Sequence, residues 1–176
     1  MTTYNLAGGC FWCLDAVFSK LKGVESSYSG YIGGSKMTAH YYAVISGMTG
    51  HAESVQISFD ETIIPKDVIL DIFFVIHNPV TLNEQGADKG TQYRSAMFYQ
   101  NNEQKKEFEH AVARAQKNWN KPIVTEISQL KAFYKAEDSH QDYFANNPGN
   151  GYCYVVIEPK IVKARKEFSK WFKEEM

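Results

Sequence analysis

Thr2–Ala7 reads as a short strand that runs into Gly8-Gly9, and Cys10 follows at the head of a helical pattern. Phe11–Lys22 carries Trp12, Ala16, Val17, Phe18 and Leu21 at helical spacing, with Gly23 as its C′ residue. A strand–Gly-Gly–helix junction of this kind puts Cys10 at a helix N-terminus, where unpaired N–H groups and the macrodipole favour negative charge. The position is expected to lower the thiol pKa and supply a thiolate nucleophile. The two glycines let another group approach the backbone closely. Cys13 follows three residues on, where Cβ atoms on a helix stand ~5–6 Å apart, so the two cysteines can bridge as a redox pair. Two other readings stay open: small buried hydrophobes, or part of a zinc site. The zinc reading has one CxxC, a distant Cys153 and no paired histidines, so no metal is expected.

The rest of the chain mixes helix and strand without a regular βαβ alternation. Strands are predicted at Val24–Ile32, Val55–Phe59, Ser95–Tyr99, Ile123–Ile127 and Tyr152–Ile157. Helices are predicted at Val68–Ile76 (Pro65 opening it), Asn102–Trp119, Ala136–Asn146 and Pro159–Lys173. Pro79–Arg94 reads as a long loop, and Asn147-Pro148-Gly149-Asn150-Gly151 as a flexible turn. With no linker or repeat, 176 residues suit one domain spanning 1–176. The expected fold is α+β, a two-layer α/β sandwich with a mixed central sheet.

Composition removes whole classes of function. Nineteen Lys plus Arg against 20 Asp plus Glu give a net charge of −1, which speaks against nucleic acid and anionic membranes as partners. No stretch approaches a membrane span, and the N-terminus has no basic, apolar leader pattern. Three cysteines make a poor secreted disulfide framework, so a reducing, cytoplasmic setting is expected.

One ordered set of short stretches is specific. Gly9-Cys10-Phe11-Trp12, Gly30-Tyr31, Ser46-Gly47, Thr49-Gly50-His51-Ala52-Glu53 and Gly90-Thr91-Gln92-Tyr93-Arg94-Ser95 come first. Thr125-Glu126-Ile127, Phe133-Tyr134, Ala136-Glu137-Asp138, His140-Gln141, Asn147-Pro148 and Gly151-Tyr152-Cys153 complete it. Across nearly its whole length the chain resembles the peptide methionine sulfoxide reductases of the A type. The resemblance implies thiol-dependent reduction of methionine S-sulfoxide, free or in proteins, as repair of oxidative damage. It makes Cys10 the nucleophile and Glu53 the acid. Tyr41 and Tyr93 become donors to the sulfoxide oxygen, a role the residues alone do not assign between Tyr41 and its neighbour Tyr42. Asp88 fits an active-site acidic position. Phe11, Trp12 and His140 are expected on the substrate side, with Trp12 able to wall an apolar seat for the S-methyl.

Attack leaves Cys10 as a sulfenic acid that a second thiol condenses to a disulfide. Cys153, which follows the flexible turn at 147–151, is expected to resolve first, with Cys13 as the second candidate. No cofactor is implied; electrons come from thioredoxin or a small dithiol, and the chain is expected to act as a monomer. Asn78 departs from the family's usual His-Asp-Pro, removing a charge beside His77. No cysteine follows Cys153, so a relay through a distal tail cysteine is not available. Two other classes compete. A thiol oxidoreductase or peroxidase using Cys10 and Cys13 alone gives Glu53, Tyr41 and Tyr93 no task. A binding module gripping methionine through Phe11 and Trp12 leaves the cysteines incidental.

Overall fold

The structure, a computed structural model, describes residues 1–174. In chain order the elements are β1 (Thr2–Ala7), α1 (Phe11–Phe18), β2 (Val24–Ile32), α2 (Tyr41–Val44), β3 (Ala52–Phe59) and α3 (Lys66–Val75). Next come β4 (Glu84–Gln85), β5 (Asp88–Lys89), β6 (Ala96–Tyr99) and α4 (Asn102–Gln116), then β7 (Glu126–Gln129), β8 (Tyr134–Lys135), α5 (Tyr143–Asn146) and α6 (Glu158–Phe168). Six strands form one sheet in the order β7-β6-β1-β3-β2-β8, and β4 and β5 make a small separate hairpin. Only β6–β7 is parallel, so the sheet is mixed and the fold is α+β.

Side-chain alternation decides which face is covered. Tyr4 and Leu6 of β1, Val55, Ile57 and Phe59 of β3, and Met97 of β6 share a face and pack with Phe11, Leu14, Phe73, Phe108 and Ile161 from the helices. On the other face Asn5 pairs with Gln56, and Thr3 with Ser58. A smaller cluster there, with Ala7, Ile32, Ala52 and Phe98, lies under Leu130 and Phe133. Glu53 has the parity of Val55 and Ile57, so this carboxyl points into the helix layer. Its cross-strand neighbour is Tyr31.

The last turn of the sequence-based helix Phe11–Lys22 is lost, because α1 ends at Phe18; Leu21 instead bridges to Phe172. The strand expected at Ile123–Ile127 lies at Glu126–Gln129. The N–H of Ile123 is bound by the Gln116 side chain and that of Val124 by the Pro79 carbonyl, so the β6 ladder begins only at Glu126. The helix expected at Ala136–Asn146 breaks, because the Gln141 amide is spent on both backbone groups of Ser29 and Asp142 is left-handed.

The largest correction is Tyr152–Ile157. It is not a strand but helical, with π-type geometry over Cys153–Ile157 that runs directly into α6. Cys153, Ile157, Ile161 and Ala164 form one buried stripe at helical spacing. Pro159 in that continuous helix has no N–H to give and its ring crowds the carbonyl four residues earlier, which favours the wider turn.

Candidate active site

Cys10 sits where the junction was expected to put it, at the N-cap of α1. Gly9 is left-handed (φ +84°), and a Cβ there would meet Gln85 Cγ at 2.9 Å, so only glycine fits the crossing. Its N–H donates to the Tyr93 carbonyl (3.2 Å), which ties the loop bearing Tyr93 to the junction. From β3, Glu53 reaches the same place and its Oε1 accepts from the Phe11 N–H (3.2 Å). Glu53 is 1% exposed. Burial raises its pKa to about 8, with Asp88 and Cys13 adding to the rise and the Phe11 N–H opposing it. At neutral pH this side chain is a carboxylic acid, able to donate a proton.

Cys10 does not have the acidic thiol that its helix position suggested. Burial pushes the thiol up, and the neighbouring Cys13 and Glu53 push the same way; the Trp12 N–H pulls down and loses. Two short helical turns supply only a partial charge, whereas desolvation acts on the whole thiolate. Cys13 lies one helical turn on, its N–H donating to the Cys10 carbonyl (3.0 Å), and its thiol is drawn down to about 7 by the neighbouring Cys10 despite its own burial.

Tyr41 and Tyr93 converge on this point. Burial raises both phenols, and the charges of Glu53, Cys10 and Asp88 raise each further, so both keep their O–H. The Tyr41 N–H donates to Glu137 Oε2 (3.1 Å), while Tyr31 donates to Glu137 Oε1 (2.8 Å). The Tyr41 ring lies 4.4 Å from that of His140. Tyr42 is 81% exposed, whereas Tyr41 is partly buried against the core.

Asp88 accepts a hydrogen bond from the Tyr152 hydroxyl (2.9 Å), and that oxygen stands 3.9 Å from Cys13 Sγ. The Tyr152 hydroxyl therefore lies between Asp88 and Cys13. Trp12 stacks face to face on Tyr143 (centroids 3.6 Å, 5°) and its indole N–H donates to His140 Nδ1 (3.1 Å). His140 thus fixes the Trp12 indole from behind. The Phe11 ring is wholly buried against Tyr31 and His140. It forms the floor under the site and touches the chemistry through its backbone N–H. Cys153 is buried rather than carried on an open turn. Its thiol is raised, first by burial and then by the charge of Cys13, and both cysteines belong to the same buried cluster.

Asn78 keeps the geometry of the turn without a charge. Its Oδ1 accepts from the Val80 N–H (3.0 Å), and its own N–H donates to Gln85 Oε1 (2.7 Å). His77 is buried, pushed down to about 3 by desolvation and hence neutral, and Nε2 accepts from Ser95 (2.7 Å). Sequence reasoning assigned no task to Tyr152, Glu137 or Tyr143. The first two lie inside stretches that carried the resemblance, whereas nothing in the sequence marks Tyr143. Among the described residues no group of His, Cys, Asp and Glu side chains gathers as a metal site. No helix of the described residues is long and apolar enough to cross a membrane.

Two thiols one helical turn apart, beside a buried carboxylic acid and two phenols that keep their protons, fit a thiol oxidoreductase acting on a centre that carries a basic oxygen. The model of the family "Peptide methionine sulfoxide reductase" matches residues 2–172. A peptide methionine sulfoxide reductase MsrA of Arthrobacter sp. strain FB24 is 58% identical over 97% of this chain and 98% of its own. Among solved structures, reduced Mxr1 of Saccharomyces cerevisiae superposes with a TM-score of 0.82 at 35% identity, covering 86% of this chain and 88% of that one. Mxr1 in complex with Trx2 matches with a TM-score of 0.57 at 26% identity, covering 81% and 84%. The chain belongs to the peptide methionine sulfoxide reductase family, and its activity is the reduction of methionine sulfoxide to methionine by cysteine thiols.

Proposed function

We propose that the described residues 1–174 work as one catalytic domain on the S epimer of methionine sulfoxide, free or within oxidised proteins. The observation that carries the assignment of roles is the buried, protonated Glu53 bound to the N–H of Phe11, the residue that follows Cys10. The sulfoxide sulfur approaches Cys10 with its oxygen toward Glu53, Tyr41 and Tyr93, and its methyl against Trp12. As the Cys10 sulfur attacks, Glu53 gives its proton to the oxygen and takes one back from the thiol. The S–O bond of the substrate breaks and one forms to Cys10, leaving methionine and a sulfenic acid. The two phenols donate hydrogen bonds to the oxygen while charge builds on it.

Cys13 is the first resolver in this account, because it stands one helical turn from Cys10, its N–H bonded to the Cys10 carbonyl (3.0 Å). Its sulfur displaces the sulfenic oxygen as water, giving a Cys10–Cys13 disulfide. Cys153 then attacks Cys13, releasing the Cys10 thiol and moving the disulfide to Cys13–Cys153. This order reverses the expectation that Cys153 acts first. A dithiol of the thioredoxin type reduces the final disulfide and is itself oxidised; the relative solved with Trx2 supports that partner. No prosthetic group takes part. The chain acts as a monomer in the cytoplasm.

Steady-state turnover of Cys153→Ser tests the relay. With thioredoxin it is expected to stop after one methionine per chain, because the Cys10–Cys13 bridge is buried; with a small dithiol it is expected to continue. Full thioredoxin-driven turnover would remove Cys153 from the relay.

A further inference from the structure

A cavity of about 480 Å³ opens beside Cys10. It shares Cys10, Asp88 and Tyr152 with the site just described, but among the described residues its lining includes none of Trp12, Tyr41, Glu53 or Tyr93. One wall is the loop from Asn78 to Asp88. The other is a single helical face, Tyr152, Val156, Lys160 and Lys163, spaced four, four and three residues apart. Val75, Ile76 and Trp119 make the remainder largely apolar. Among the described residues neither Lys160 nor Lys163 has an ion-pair partner, whereas the acid in the cavity, Asp88, is already bound by Tyr152. Lys160 lines the same cavity as Cys10 and His77, and its charge lowers the pKa of both Cys13 and His77. The sulfoxide chemistry uses neither cation.

We propose that this groove holds the polypeptide on one side of the oxidised methionine and selects a carboxylate there, which Lys160 and Lys163 receive. The proposal rests on Cys10 being the attacking thiol, since that places the oxidised methionine at the mouth of the groove. Lys160 and Lys163 are separated by about 4.5 Å along the helix axis, and an extended peptide advances about 3.3 Å per residue. The two lysines therefore face a stretch of about one to two residues of the bound peptide, and a carboxylate anywhere in that stretch is within their reach. An Asp or Glu side chain supplies it, or the terminal carboxylate when the methionine lies near the end of a chain.

The test compares kcat/KM for synthetic peptides of about seven residues with a central methionine S-sulfoxide, carrying Glu or Lys at each of the three positions on either side. A second set places the sulfoxide next to last, with a free or an amidated C-terminus. At low ionic strength one Glu position is expected to exceed its Lys counterpart by about three- to tenfold, with the difference fading at high salt. In Lys160→Glu/Lys163→Glu the Glu-to-Lys ratio inverts; taking the ratio cancels any change in the common chemical step. Lys163→Glu alone reduces the ratio and keeps wild-type turnover of free methionine sulfoxide. A ratio near one in the wild type overturns the proposal, as does a ratio that ignores both lysines. A defect of the lysine variants in the KM for thioredoxin alone, with the peptide ratio intact, overturns it as well and assigns the groove to the reductant. Loss of turnover of free methionine sulfoxide in Cys10→Ser separately checks the reading on which the proposal stands.

Discussion

The two ends of the thiol relay stand on different scaffolds. Cys10 follows β1, an inner strand of the sheet, and is framed by Gly9 against Gln85, Glu53 from the neighbouring strand and the Tyr93 carbonyl. Cys153 lies on a helical segment that no strand pairs with. Its inner face packs in the core, while Tyr154 and Val155 beside it stand in solvent. The proposed attack needs an acid held beside the thiol, and the sheet supplies that rigidity by carrying Glu53 on β3 next to β1. Disulfide transfer needs a thiol that changes partners, and a terminal helical turn can shift without moving Glu53 or Tyr41.

That contrast can be broken most severely at the rigid end. Cys10→Ser is expected to lower reduction at least about a thousandfold with the fold intact, measured as methionine formed in a single turnover. Glu53→Gln is expected to slow the same step by about a hundred- to ten-thousandfold. It should also erase a limb of the wild-type pH profile, in which the rate falls as pH rises through about 8 and Glu53 loses its proton. An unchanged profile would remove Glu53 from the acid's role.

The same carboxyl makes a prediction about stability, because it ionises near 4.5 ordinarily and near 8 in the folded chain. Between those values the folded state binds more protons than the unfolded one, so its contribution is whole below pH 4.5 and is lost as pH rises through about 8. Urea titrations should therefore show the wild type losing a few kcal/mol relative to Glu53→Gln across that window. The smallest effect sharpens the contrast. Tyr31→Phe cuts one of the two bonds that hold Glu137, and with it the anchor of Tyr41. It is expected to cost about 1 kcal/mol and a few-fold in the methionine-forming step, while the Cys13–Cys153 exchange stays at wild-type speed.

What could be read in the sequence follows the range of the physics involved. The strand–Gly-Gly–helix junction is local, and it was placed correctly to within a residue or two. Glu53 entered only through a resemblance, yet its parity with Val55 and Ile57 already marks it as inward-facing. The acidity of Cys10 was misjudged because the helix N-terminus is visible in a sequence and the burial that overrides it is not. Tyr154-Val155-Val156-Ile157 looked like a strand because three of the four are β-branched. The stronger signal was the stripe Cys153, Ile157, Ile161 and Ala164, which crosses Pro159 and was divided there between two elements. The groove beside Cys10 joins the loop from Asn78 to the face of α6, and no pattern along the chain connects them.

The central claim is that Cys10 attacks and Cys13, one helical turn from it, resolves first. It is tested most directly by mixing reduced protein with excess methionine S-sulfoxide without an external reductant. The reaction is quenched with a thiol-blocking reagent at successive times, methionine is counted and the cysteine pairs are mapped by mass spectrometry. The account predicts that the first methionine appears with a Cys10–Cys13 bridge. The bridge then passes to Cys13–Cys153 as a second methionine forms. An early Cys10–Cys153 bridge with Cys13 still free would contradict the order of the relay, and no methionine with all three thiols free would contradict the chemistry itself.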